Sequence, residues 1–245
     1  MSADPVPRAI GVCGTDTGVG KTVAAAAIAA ALLRHGRSVR VLKPVQTGAG
    51  QDDDAREIDR LVGSRVASCG WRLEPPLAPA VAAHLEDTQL DPPAILAWIT
   101  AQRQGIDHIV VETAGGVAVE IVEGLDMAAF VALAELMAVL VCRPALGTLN
   151  HSVLSVEHLR ARGVQILGVV ISGQFDRGNI IHTTNATELE RLTGLPILGV
   201  LDELPVSKGG PNFISRSVDR LGPQLSGTFS REAFLASLPY VSYRS

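Results

Sequence analysis

The chain has 245 residues and a formal net charge of −4. It is long enough to bury a large core without disulfide or metal staples, and its mild acidity gives no field that would gather nucleic acid or an anionic membrane, so small molecules are the expected partners. Three cysteines, Cys13, Cys69 and Cys142, are an odd number without metal-ligand spacing, and reduced thiols in a cytoplasmic protein are the expectation.

The opening stretch, MSADPVPR, has no apolar core and reads as no secretory signal. Residues 9–13 then form the first apolar run, and the alanine-rich residues 21–35 read as the helix that follows. Further strands are expected at 38–42, 108–111, 138–142, 166–171 and 196–201. Helices are expected at 53–61, 92–104, 126–136, 151–162 and 187–192, with short helices between Asn212 and Leu238. The most apolar stretch, 127–142, is interrupted by Glu135 and is too short to span a bilayer comfortably. Strands alternating with crossover helices define an α/β protein with a doubly wound, mostly parallel sheet flanked by helices. No repeat, charge block or low-complexity linker divides the chain, and the proline cluster around Pro75 and Pro76 reads as a loop, so residues 1–245 are expected to form one domain. Ligands of such sheets sit at the carboxyl edge of the strands, which makes the loops after each apolar run the informative places.

The first of these loops is GTDTGVGKT, residues 14–22. A strand, a glycine loop and Lys-Thr opening a helix wrap backbone N–H groups around phosphates, as in P-loop NTPases. Lys21 is placed to meet the β- and γ-phosphates, and Thr22 to offer its hydroxyl to bridging magnesium, while Gly18 and Gly20 permit angles or approaches a side chain would obstruct. Five residues rather than the usual four separate Gly14 from Gly20. Partition and septum-site ATPases carry an additional lysine five positions before the main one. Here that position is Asp16, which argues for a small-molecule enzyme over a nucleotide-dependent switch.

Lys43-Pro-Val-Gln-Thr-Gly48 follows the next strand, and an acidic run, Asp52-Asp-Asp54, precedes the next helix. Lys43 would leave the carboxyl edge beside the γ-phosphate, where a second cation can neutralise a phosphoryl group in transfer. The acidic run can cap its helix or aim a carboxylate at magnesium. Glu112 ends the run His108-Ile-Val-Val-Glu112 and is followed by Thr113-Ala-Gly-Gly116, which adds a further carboxylate at the same edge. Magnesium needs only a hydroxyl, phosphate oxygens and one or two carboxylates.

Together GTDTGVGKT, KPVQTG, DDDA, VETAGG and LGTLNH resemble the dethiobiotin synthetases, in that family's order and over residues 8 to 202. The resemblance implies formation of a ureido ring from 7,8-diaminopelargonic acid, CO2 and ATP with Mg2+, on the way to biotin. A carbamate on one amine attacks the γ-phosphate to give a carbamic-phosphoric anhydride, and the other amine closes the ring. It implies that Lys43, Lys21 and Thr17 serve the chemistry, and that Gly18, Val19, Gly20, Lys21 and Thr22 hold ATP. Thr17, Lys43, Thr47, Thr113, Gly115 and Gly116 match positions around the carbamate, and Thr22, Asp54 and Glu112 match the magnesium positions. Gly147, Thr148 and Asn150 match a stretch that binds the substrate's carboxyl tail from a partner subunit, so a homodimer is implied. Asn150 can equally cap the helix expected from residue 151, and His151 reads as packing or capping. Ser172 and Leu201 fall where the family meets the nucleotide base. Three departures stand out: Thr113 replaces the family's glycine, Ile171-Ser172-Gly173 replaces its Asn-Asp, and Gly199-Val-Leu-Asp replaces its Gly-x-Ile-Pro, so nucleoside triphosphates other than ATP stay open. A carboxylate-activating amidoligase would use the same phosphate machinery but needs an ammonia source.

Overall fold

The computed structural model describes residues 8–50, 53–203 and 210–237. The opening residues 1–7, Gln51, Asp52 and Leu238 therefore lie outside the described residues. In chain order the elements are β1 (Ala9–Gly14), α1 (Lys21–Arg34), β2 (Val39–Thr47), α2 (Asp54–Val62), β3 (Ala67–Leu73), α3 (Pro79–Leu85), α4 (Pro92–Ala101), β4 (His108–Glu112), β5 (Glu120–Val122), β6 (Leu125–Asp126) and α5 (Met127–Leu133). They continue with β7 (Met137–Cys142), α6 (Thr148–Ala161), β8 (Ile166–Ser172), α7 (Ile180–Thr193), β9 (Ile197–Leu201), α8 (Pro211–Val218) and α9 (Arg231–Ala236).

Seven strands form one sheet in the order β3-β2-β4-β1-β7-β8-β9, and every pair in it is parallel. Such a sheet is covered on both faces, so neighbouring strand residues are apolar in both directions. Val110, Val139 and Val141 pack into one cluster with α1, whereas Ile109, Val111 and Leu140 pack into a second with α4, α5 and α6. Helix α1 is apolar all round because it is buried all round: Ala24, Ala25, Ala26 and Ala27 are fully enclosed, with the sheet on one side and residues of α2 and α8 on the other. The first half of the chain builds outward from β1 on one side and the second half on the other. The crevice at this reversal opens at the carboxyl ends of the strands.

The sheet bears out the α/β reading, and several boundaries differ for identifiable reasons. Strand β2 continues through Lys43 and Pro44 to Thr47, so Lys43 lies in a strand and not in the loop after one. Proline is tolerated because pairing with β4 ends at Leu42↔Val111; from Lys43 onward β2 is bonded on the β3 side alone. Strand β3, ASCGWRL, went unread because an edge strand needs no apolar run, and α3 because its Pro79 occupies the first helical turn, where the missing N–H is harmless. Helix α7 starts seven residues earlier than expected, with the Asn179 side chain accepting from Ile181 N, and α6 starts at Thr148, not 151. Strands β5 and β6 form a separate antiparallel hairpin. Among the described residues no helix is long and apolar enough to cross a membrane.

Candidate active site

The glycine loop is built from β1 outward. Thr15 N donates to Val141 O at 3.0 Å, tying the loop's base to β7, and Val19 is buried in the α1 cluster. Gly18 (φ 68°) and Gly20 (φ 96°) are left-handed, which only glycine adopts without strain. At Gly20 a Cβ would also collide with Ser172 Oγ. The tip carbonyls are held by cations: Lys21 Nζ donates to Asp16 O at 2.9 Å, and Arg143 Nη2 donates to Thr17 O at 2.8 Å. Lys21 also donates to Gly115 O at 2.9 Å, joining the first loop to the one after β4. Burial, reinforced by nearby Lys43, lowers the Lys21 ammonium to a pKa of about 8.

Beneath the loop lies an ionic cluster. Lys43 Nζ sits 2.6 Å from Asp54 Oδ2 and 2.9 Å from Glu112 Oε1, and it donates to Thr113 O at 3.2 Å. Thr22 Oγ1 stands 3.3 Å from Asp54 Oδ1 and 3.1 Å from Glu112 Oε1. Burial works against the Lys43 charge, but Glu112 and Asp54 outweigh it and raise its pKa. Glu112 is 1% exposed, and its Oε2 has no hydrogen-bond partner. A buried carboxylate oxygen left unsatisfied is costly, and a cation would satisfy it. Among the described residues no group of three or more His, Cys, Asp or Glu gathers as a metal cluster. Two carboxylates and a hydroxyl beside a phosphate loop are nonetheless the donor set magnesium takes with a nucleotide.

A cleft of about 690 Å³ joins the two layers; Thr17, Gly18, Gly20, Lys21, Thr22, Lys43, Thr47, Asp54 and Gly115 all line it. Half of the candidates from the sequence therefore meet in one place. Others do not line it. Thr113 is buried, with its N and Oγ1 both on Val12 O at 3.1 and 3.2 Å, so only its carbonyl faces Lys43. Gly116 lies against the backbone of Thr15. Ser172 is packed under Gly20, and Leu201, fully buried at the end of β9, accepts from Gly173 N. Gly147 is the left-handed N-cap of α6, which corrects the reading of Asn150 as the cap: Thr148 is buried and Asn150 exposed, both inside the helix. Sequence reading missed Gln46 and Arg143. Gln46 lies inside KPVQTG, where nothing in the spacing assigns it a partner, and Arg143 directly follows β7 at the carboxyl edge, the signal that could have found it.

The sheet and phosphate loop define a P-loop ATP-binding α/β protein. A family model described as an AAA domain matches residues 8–209. Among solved structures, the septum site-determining protein MinD of Pyrococcus horikoshii superposes with a TM-score of 0.55 at 18% identity, covering 95% of this chain and 86% of that one. A ParA family ATPase of Chlorobium tepidum gives 0.53 at 14%, covering 90% and 95%; at such identities these likenesses show the fold alone. The ATP-dependent dethiobiotin synthetase of Haloferax mediterranei is 41% identical over 187 residues, 76% of this chain and 80% of that protein. That of Streptomyces coelicolor is 37% identical over 227 residues, 91% and 95%. The chain belongs to the ATP-dependent dethiobiotin synthetase family, a family of ligases, as its motifs suggested.

Proposed function

We propose that the chain closes the ureido ring of dethiobiotin from 7,8-diaminopelargonic acid, CO2 and ATP with Mg2+. The observation that carries this is Lys43, held between Asp54 and Glu112 at 2.6 and 2.9 Å, on the same cleft as Lys21. A carbamate and a triphosphate repel each other, and two lysines on one cleft offset that repulsion and hold the anions in line. One carbamate oxygen attacks the γ-phosphorus as ADP leaves; the second amine then attacks the carbamoyl carbon, losing a proton as phosphate departs. Lys21 and the N–H groups of Gly18, Val19 and Gly20 hold the triphosphate, while Thr17, Lys43 and Thr47 face the carbamate and the phosphoryl group. Gly115 borders the same space, with the Thr113 carbonyl on Lys43 behind it. Magnesium, held by Thr22, Asp54 and Glu112, would neutralise charge on the β- and γ-phosphates. Ser172 and Leu201 mark the side on which the base lies.

The described chain acts as one unit, because α1 is enclosed by elements from both ends of the sequence. It works as a homodimer in the cytoplasm, with the substrate's carboxyl tail on Gly147, Thr148 and Asn150 of the partner subunit. Supporting the dimer, Leu146, in the turn just before α6, and Leu154, one helical turn after Asn150 on α6, are 84% and 61% exposed.

The test is Lys43→Ala: dethiobiotin, followed by mass spectrometry, should fall at least about 100-fold while binding of a nonhydrolysable ATP analogue persists. Unchanged product would remove Lys43 from the chemistry. Since stripping one partner from a buried ion pair costs about 3–5 kcal/mol, Lys43→Arg, which keeps the charge, is compared to separate misfolding from lost chemistry. Phosphate release should require both the diamine and bicarbonate.

A further inference from the structure

Gln46 is 5% exposed and borders the cleft without a role so far. Its Oε1 accepts from Asp54 N at 3.2 Å, and its Nε2 donates to Thr47 O at 2.7 Å. The first bond runs from β2 to the opening residue of α2; the second locks the amide against its own strand. Capping of α2 is done by another residue, Asp53, whose Oδ1 accepts from Arg56 N at 3.0 Å, so the Gln46 bond is not needed to start the helix. What it fixes is the place of Asp54. The Asp54 carboxylate returns to β2 through Lys43 at 2.6 Å, which closes a ring: Gln46, the Asp54 backbone, the Asp54 carboxylate, Lys43, and β2 again.

We propose that Gln46 is a positioning residue that sets the Asp54 carboxylate for the divalent ion of the nucleotide complex. The inference rests on the magnesium reading given under Proposed function. Groups that orient a metal's ligands typically change metal affinity by about 10–100-fold when removed, and a carboxylate at the mouth of a short helix depends on such a tie.

The experiment replaces Gln46 with methionine, which matches its length and removes both hydrogen bonds. Binding of a nonhydrolysable ATP analogue is followed by calorimetry at varied Mg2+, and Mn2+ binding by electron paramagnetic resonance, beside steady-state kinetics. Gln46→Met should raise the Mg2+ concentration for half-saturation by about 10-fold, leave the KM for the diamine unchanged, and recover kcat in excess Mg2+. A raised diamine KM with unaltered Mg2+ dependence would instead make Gln46 a substrate contact and overturn the proposal. A lowered Tm with unaltered Mg2+ dependence would make it merely structural and overturn the proposal equally. Asp54→Asn is the control. If it weakens divalent binding and Gln46→Met does not, only the role of Gln46 fails; if Asp54→Asn has no effect either, the magnesium reading fails and Gln46 with it.

Discussion

Lys43 and Glu112 show what a buried charge requires: each has its counter-ion within 3 Å, the lysine at 2.9 Å from Glu112 Oε1 and 2.6 Å from Asp54. Arg143 is different. It is exposed, and its bond to Thr17 O acts on the shape of the loop. Arg143→Ala should cost about 1 kcal/mol of loop order and raise the KM for ATP about fivefold with a smaller change in kcat, read from initial rates. The thiols separate cleanly too. Burial pushes Cys13 up to about 12 and Cys142 to about 11 and raises Cys69 on β3 as well, but of the three only Cys69 is partly exposed and open to reagent. Thiolate is the reactive form, so Ellman's reagent at pH 8 should find one fast thiol in the folded protein and three after denaturation. At this scale Lys21, Thr22 and Glu112 were legible because each ends a strand or opens a helix in a fixed pattern, and Lys43 because its motif follows an apolar run, although β2 continues through it. The direction of Thr113 was not, since strand parity alone cannot say that its hydroxyl returns to Val12 O. Gln46 and Arg143 were missed because their partners, Asp54 and Thr17, are 8 and 126 residues away.

Among the elements, α5 is both capped and tied to its neighbour through one side chain. Asp126 caps it by accepting from Ala129 N at 2.7 Å, and also meets His158 Nε2 at 3.0 Å and Arg162 Nη2 at 2.6 Å from α6. Partial burial works to raise its pKa, but the Ala129 amide, Arg162 and His158 together hold it below the ordinary carboxylate value. A lowered folded-state pKa contributes stability above the unfolded value, about 3.9, and that contribution is lost as pH falls through the folded value. Asp126→Ala should therefore destabilise by about 1–2 kcal/mol at pH 7, and the gap from wild type in urea titrations should narrow below pH 4. Long helices such as the alanine-rich α1 were readable from sequence. Strand β3 and helix α3 were not, because one is an edge and the other is started by a proline in a cluster that reads as loop. The end of α5 was overrun because Glu135, left-handed at φ 53°, turns the chain where hydrophobicity alone continues.

For the whole molecule, the alternation of apolar runs predicted the parallel sheet, since each strand needs a crossover helix to return. It did not predict the strand order, which depends on where β4 inserts. The proposed dimer is testable at this scale: Leu154→Glu should shift sedimentation toward the monomer and lower the rate at micromolar protein, while leaving nucleotide-analogue binding in place.

The position of β1 has a consequence for biosynthesis. It leaves the ribosome well before its hydrogen-bonded neighbours, β4, where Ala9 faces Ile109, and β7, where Ile10 faces Met137. Loop closure over such separations is slow and entropically unfavourable. The nascent chain thus cannot assemble its phosphate cradle until β4 and β7 have been translated, and until then the alanine-rich α1 has no sheet to lie on.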